Sequence, residues 1–189
     1  MTTNSLVDVQ VLGALDGTAG NDVLNGGSPP EIIRGHAGND ILNGNGGNDV
    51  LDGGAGNDTM TGGLGADTFV WHLADRGTPG VPAVDTINDF AVGSAPASRD
   101  VLDLRDLLTG ETHTGTSPGN LSNFLHFEDV GGGNTLLHIS STGGFFSGFS
   151  SAADDQLIAL NNVPFSSLGG AVDISIITQM LANGNLKVD

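Results

Sequence analysis

From Gly17 to Val70 the chain repeats every nine residues, and this period leaves few folds open to it. The units read GTAGNDVLN, GGSPPEIIR, GHAGNDILN, GNGGNDVLD, GGAGNDTMT and GGLGADTFV. Their first position is always glycine (Gly17, Gly26, Gly35, Gly44, Gly53, Gly62), and the fourth is glycine in all but one. The sixth is Asp22, Glu31, Asp40, Asp49, Asp58 and Asp67 in turn. The eighth is always large and apolar: Leu24, Ile33, Leu42, Leu51, Met60 and Phe69. A short fixed period of this kind means stacked units, each too small to bury its own apolar face.

Each unit has two halves. The Gly-rich first six residues suit a tight turn, because glycine accepts positive φ and lets backbones approach closely. The last three, such as Val23-Leu24-Asn25, suit a very short strand with its middle side chain inward. Two units make one coil, and stacked coils line the eighth-position side chains into a ladder core. Stacking also sets the sixth-position carboxylates of successive coils one above another, which is like-charge repulsion unless a cation intervenes. Ca2+ suits such a place, since it takes about 6–8 oxygens and accepts carboxylates mixed with carbonyls, whereas Mg2+ demands tighter octahedral geometry. A flexible Gly/Asp-rich linker has no reason to keep the period, the Asp phase and the apolar eighth position together.

Composition points the same way. Thirty-one glycines in 189 residues are a large entropic load to order, so a stabilising partner outside the sequence is expected. The length suits one domain or two small ones. Five basic residues face 22 acidic ones, a net charge of −17. That surface repels phosphate backbones and anionic lipid, so no nucleic-acid partner is expected. Without cysteine there is no disulfide, zinc knuckle, iron–sulfur cluster or thiol nucleophile. No apolar run is long enough for direct membrane insertion. The start, MTTNSLVDVQVL, lacks the basic and apolar regions of an N-terminal signal peptide.

The nonapeptide pattern resembles the calcium-binding repeat of RTX (repeats-in-toxin) proteins. That resemblance implies a parallel β-roll over residues 17–70, with Ca2+ between the turns on each edge. It implies ligands from the sixth-position Asp and from carbonyls near the first and third positions. Carried over, one edge uses Asp22, Asp40 and Asp58 with the carbonyls of Gly17, Ala19, Gly35, Ala37, Gly53 and Ala55. The other uses Asp49 and Asp67 with the carbonyls of Gly44, Gly46, Gly62 and Leu64. The expectation is about three to five Ca2+ ions. The unit GGSPPEIIR departs from the pattern, because Pro29 and Pro30 fix φ negative and remove two N–H groups. The repeat segment carries seven acids (Asp22, Glu31, Asp40, Asp49, Asp52, Asp58, Asp67) against Arg34, a charge of −6 that three Ca2+ would balance.

After Val70 the period stops. Strands are expected at Asp85–Phe90, Val101–Leu104, Phe124–Glu128, Thr135–Ser140 and Gln156–Leu160. A C-terminal helix is expected from Ile174, Ile177 and Leu181, with Asp173 as N-cap and Gly184 as C-cap. The fold class is therefore all-β: a leader strand or linker over 1–16, the roll over 17–70, and a β-rich module with one helix over 71–189. GGLGADTFVW, DTINDF, DVLDL and NGNLKVD resemble the C-terminal module of proteins exported by bacterial type I secretion, nearest in flavour to the tails of large RTX adhesins. The resemblance implies an uncleaved export signal in the C-terminal part. It implies as partners an ABC transporter, a membrane fusion protein and an outer-membrane channel, and an extracellular or cell-surface location. It also implies a further Ca2+ held by Asp75, Asp85 and Asp100. A monomer is expected.

Other residues give no chemistry. His36, His72, His113, His126 and His138 are scattered without metal-protease spacing and read as surface or strand residues. Asp154 and Asp155 read as solvated loop acids, and Trp71 as a cover over the end of the roll. No nucleophile elbow, phosphate loop or zinc site occurs, so no catalytic activity is expected. Two rival readings use the same repeats: a module that holds polysaccharide or ice, and the non-catalytic tail of a secreted hydrolase.

Overall fold

The computed structural model describes residues 13–95, 97–169 and 172–188; the leader segment 1–12 lies outside the described residues. The repeats form the short strands that their spacing requires. These are β1 (Gly13–Asp16), β2 (Val23–Asn25), β3 (Glu31–Arg34), β4 (Ile41–Asn43), β5 (Val50–Asp52), β6 (Thr59–Thr61) and β7 (Thr68–His72). Odd and even strands go to opposite sheets, and each strand pairs in parallel with the one two units on, as in Leu24 with Leu42 and Ile33 with Leu51. The leader's last residues, Gly13–Asp16, are thus a strand of the roll, bonded to β3.

The period ends at Val70, but the stacking continues. The chain runs on through β8 (Ala83–Ile87), β9 (Val101–Asp106), β10 (Leu125–Gly131), β11 (Asn134–Ile139), β12 (Gln156–Leu160), α1 (Asp173–Asn183) and β13 (Leu186–Lys187). The six-stranded sheet has the order β1-β3-β5-β7-β9-β13, and the seven-stranded sheet β10-β11-β12-β8-β6-β4-β2. Among the described strands the β10/β11 and β11/β12 pairings are antiparallel and the others parallel. Both ladders of inward side chains cross the boundary in register. One runs Leu15, Ile33, Leu51, Phe69, Leu102, and the other Leu24, Leu42, Met60, Ile87, Leu160. Burial of these apolar side chains between two sheets is the main favourable term that holds the layers together.

The C-terminal strands fall where alternation places them, within one to three residues, and β12 has the expected bounds. Two details differ. The buried stripe of α1 is Ile176, Ile177 and Met180, and Ile174 is exposed. Asp173 is the first helical residue and Val172 the N-cap. The Asp173 carboxylate instead accepts the Phe127 N–H at 2.8 Å and lies 2.8 Å from His126 Nδ1, which ties the helix to β10. Gly184 ends the helix at φ 76°, a left-handed cap that glycine takes without strain. Among the described residues no helix is long and apolar enough to cross a membrane.

Asp154 and Asp155 are not solvated loop acids: both are buried. Asp155 accepts from the Ser141 N–H and Oγ and from Arg76 Nε. Asp154 Oδ2 lies 2.9 Å from Nδ1 of His138, whose Nε2 is 3.0 Å from Glu128 Oε2. His138 lies on β11, as the strand reading has it, and is buried. Each of these bonds joins segments distant in sequence, so no local pattern announced them.

Candidate metal centre

Each sixth-position acid lies at a turn on an edge of the roll, and the edges carry two ladders of carboxylates. On the first, the Asp22 N–H donates to Asp40 Oδ1, the Asp40 N–H to Asp58 Oδ1, and the Asp58 N–H to Asp85 Oδ1, all at 2.8 Å. On the second, the Glu31 N–H donates to Asp49, the Asp49 N–H to Asp67, and the Asp67 N–H to Asp100, at 2.8, 2.8 and 2.9 Å. One oxygen of Asp40, Asp58, Asp85, Asp49, Asp67 and Asp100 is thereby used in holding the coils in register.

The second oxygen separates the acids into two groups. In Asp40, Asp49, Asp58 and Asp67, Oδ2 is buried and has no hydrogen-bond partner. Across the turn, Asp40 Oδ2 and the Gly53 carbonyl both border the space that a Cβ at Gly35 would fill, and Asp49 Oδ2 and the Gly62 carbonyl border the same space at Gly44. A buried carboxylate facing a carbonyl, with no donor between them, is costly unless a positive charge joins them. An all-oxygen set of this kind suits Ca2+. Among the described residues no three side chains of His, Cys, Asp or Glu gather into one metal-binding group, so a cation here needs backbone carbonyls too. Burial pushes the Asp58 carboxyl up to about 7, against the opposing hydrogen bond from the Asp40 N–H, and Asp85, Asp40 and Asp52 push it further. Burial likewise raises Asp49 to about 6 and raises Asp67.

The first coil differs from expectation. In the four turns beginning at Gly35, Gly44, Gly53 and Gly62, the second and fourth positions have positive φ (His36, Asn45, Gly54, Gly63; Gly38, Gly47, Gly56, Gly65). The turns at Gly17 and Gly26 lack both features. There Asp22 Oδ2 takes the N–H and hydroxyl of Thr18 at 2.6 and 2.8 Å, and Glu31 Oε2 takes the Gly27 N–H. Proline at position four excludes positive φ in the Gly26 turn. The Gly17 turn departs as well, which its sequence signalled only through β-branched Thr18 at the second position. The Gly35 carbonyl and Asp22 Oδ2 both border Gly17, but that oxygen is already satisfied by Thr18.

The third-position carbonyls also do structural work. Ala37 pairs with Ala55 and Gly46 with Leu64 across coils; the Ala55 and Leu64 carbonyls accept the Gly38 and Gly47 N–H groups at 2.9 Å. Sequence reading missed the fifth position, where Asn21, Asn39, Asn48 and Asn57 each accept an N–H from the next coil at 2.8–3.0 Å. The recurring asparagine was its signal.

The three acids expected to share a further ion do not gather into one group: Asp75 acts on Asp85 through its charge, but Asp100 stands apart. Asp85 ends the first ladder and Asp100 the second, on opposite edges. Asp75 lies in the turn after β7, its N–H bonded to the His72 carbonyl, where burial and the Asp52 charge raise its carboxyl. Asp85 and Asp100 have both oxygens hydrogen-bonded to protein donors. The loop carrying Asp100 must cross to the other sheet before β9, which separates it from Asp75 and Asp85.

Residues 14–28 and 33–69 match the family model of the RTX calcium-binding nonapeptide repeat. The match covers the repeat stretch and stops short of the strands that follow it. The gap between the matched stretches is where Pro29, Pro30 and Glu31 break the pattern. The chain is similar to two solved subunits of the Azotobacter vinelandii mannuronan C5-epimerase. The AlgE6R2 subunit is 28% identical with a TM-score of 0.60, over 93% of this chain and 92% of that one. The AlgE6R3 subunit is 28% identical with a TM-score of 0.56, over 80% and 78%. No curated protein is a significant match.

Proposed function

We propose that the chain is a non-catalytic, calcium-dependent folding module of a secreted protein, exported by a type I system and completed outside the cell. The observation that carries this reading is the set of four buried, unpartnered Oδ2 atoms in Asp40, Asp49, Asp58 and Asp67. Ca2+ bound beside them would supply the positive charge that lets them stay ionised inside the fold. The Gly35, Gly44, Gly53 and Gly62 turns supply carbonyl oxygens, and the Asn and Asp Oδ1 bonds hold the coils in register. Without cation, like-charge repulsion and glycine entropy favour an open chain suited to threading through an ABC transporter, its membrane fusion protein and an outer-membrane channel. Binding free energy then becomes folding free energy at the calcium concentration outside the cell.

A second reading rests on the similarity to repeat subunits of an epimerase of mannuronan: an accessory module beside a polysaccharide-acting enzyme. It replaces the adhesin as parent protein without altering the calcium chemistry.

Far-UV circular dichroism during Ca2+ titration of chelator-treated protein tests the first reading, with Mg2+ as control. A cooperative gain of β-structure specific to Ca2+ is expected. A chain equally folded in chelator would overturn it. Retention on immobilised mannuronan that requires folded protein would favour the second.

A further inference from the structure

The last rung of the first ladder is built differently from those before it. At Asp40 and Asp58, Oδ1 is bonded and Oδ2 is buried without a partner. At Asp85, Oδ1 accepts the Asp58 N–H, and Oδ2 accepts two side-chain donors, Trp71 Nε1–H at 2.7 Å and Gln156 Nε2–H at 2.8 Å. Asp85, Trp71 and Gln156 are all buried.

We infer that Trp71 and Gln156 are positioning residues that close the carboxylate ladder with protein N–H groups in place of a cation. Two N–H dipoles aimed at one carboxylate oxygen stabilise its charge and repel a metal ion from it. Asp85 is therefore a metal-free rung, with Oδ1 set to receive the Asp58 N–H. Its donors come from three parts of the fold. Trp71 is on β7, which continues the last repeat. Gln156 is the first residue of β12, 71 residues from Asp85 in sequence, and it reaches Asp85 only when β12 pairs with β8. The C-terminal strands thus supply the donor that completes this rung where no cation does. Asp100 ends the second ladder in the same way with a backbone donor, the Ala91 N–H at 2.8 Å from Oδ2.

The inference rests on calcium-driven folding of the roll, and the experiment separates the two. In chelator, the full chain is followed by Trp71 emission, Trp71 being the single tryptophan, and by hydrogen exchange. The expected result is solvent-exposed emission in chelator, with buried-type emission and protected amides in β8 and β12 appearing together with those of β4 and β6 as calcium is added. Gln156→Leu keeps the volume and removes the donor. It should raise the calcium midpoint seen by circular dichroism about tenfold, the worth of a buried charge-assisted hydrogen bond, without lowering the number of ions bound at saturation. Trp71→Phe, which removes the other donor and keeps an aromatic ring, should shift the midpoint the same way and guards against a Gln156 variant that fails to fold. A role in packing alone would leave the Gln156→Leu midpoint unchanged and overturn the inference. So would loss of one bound ion in Asp85→Asn, or solvent-exposed Trp71 in a chain that still folds on calcium. A chain indifferent to calcium throughout would overturn the underlying reading and this one with it.

Discussion

Asp58 shows how much one side chain carries. Its N–H and Oδ1 bind the coils on either side, and its Oδ2 has no protein partner. Asp58→Asn should remove one ion from the saturated protein and raise the calcium midpoint about tenfold or more, whereas exposed Asp129→Asn should change neither; native mass spectrometry and a titration check both. Asp22→Asn should act weakly, because Thr18 already satisfies that carboxylate. A carboxyl whose folded pKa lies above its unfolded value holds its proton more tightly in the folded chain, so protonation favours folding. With Asp49, Asp85 and Asp100 near 6 and Asp58 near 7 against an ordinary 3.8, the calcium-free fold should be most stable below about pH 4. It should lose that stability as pH rises toward 7. Proton and cation compete for Asp49 and Asp58, so calcium affinity should rise over the same range; chelator unfolding and calcium titrations at several pH values measure the two trends. Gly56 and Gly110 both have positive φ, but only a Cβ at Gly56 would strike a neighbour, the Gly38 carbonyl. Gly56→Ala should therefore cost clearly more than the roughly 1 kcal/mol of strain expected at Gly110, as read by denaturant unfolding in saturating calcium.

At the scale of elements, the roll strands are too short to stand alone. Each contributes one inward side chain to a ladder, and Met60 on β6 sits in register between Leu42 and Ile87. Met60→Ala should cost about 3 kcal/mol and raise the calcium midpoint, since folding and binding are one equilibrium. Ile41→Ala, one position before Leu42 and facing solvent, should do neither. The strand period, the inward eighth position and the strand of Gln156–Leu160 were legible because side chains alternate across a strand. The identity of the first coil as a non-matching end was only half legible: Pro29 and Pro30 announced one turn, and in the other the one hint was β-branched Thr18 at a position where the matching turns have positive φ.

Across the whole molecule, the C-terminal segment is part of the roll rather than an appendage. β13 completes the six-stranded sheet, and buried Asn185 bonds the Gly93 N–H and the Ala91 and Asp100 carbonyls. Asn185→Ala should cost about 3 kcal/mol through the orphaned groups, in a thermal melt with calcium present. An export signal in this region would be readable only while the chain is unfolded, since folding buries Leu186 and Val188.

The sequence by itself determined the coil, its core ladder, the acids on its edges and the kind of ion they suit. Those features are local and repeated, so the period exposes each of them six times over. Tertiary structure decided which acids want a cation. Asp58 and Asp85 are both buried rungs of one ladder, and only the arrival of Trp71 and Gln156 beside Asp85 gives its second oxygen a donor. Contacts between residues so distant in sequence leave no trace in any window of nine.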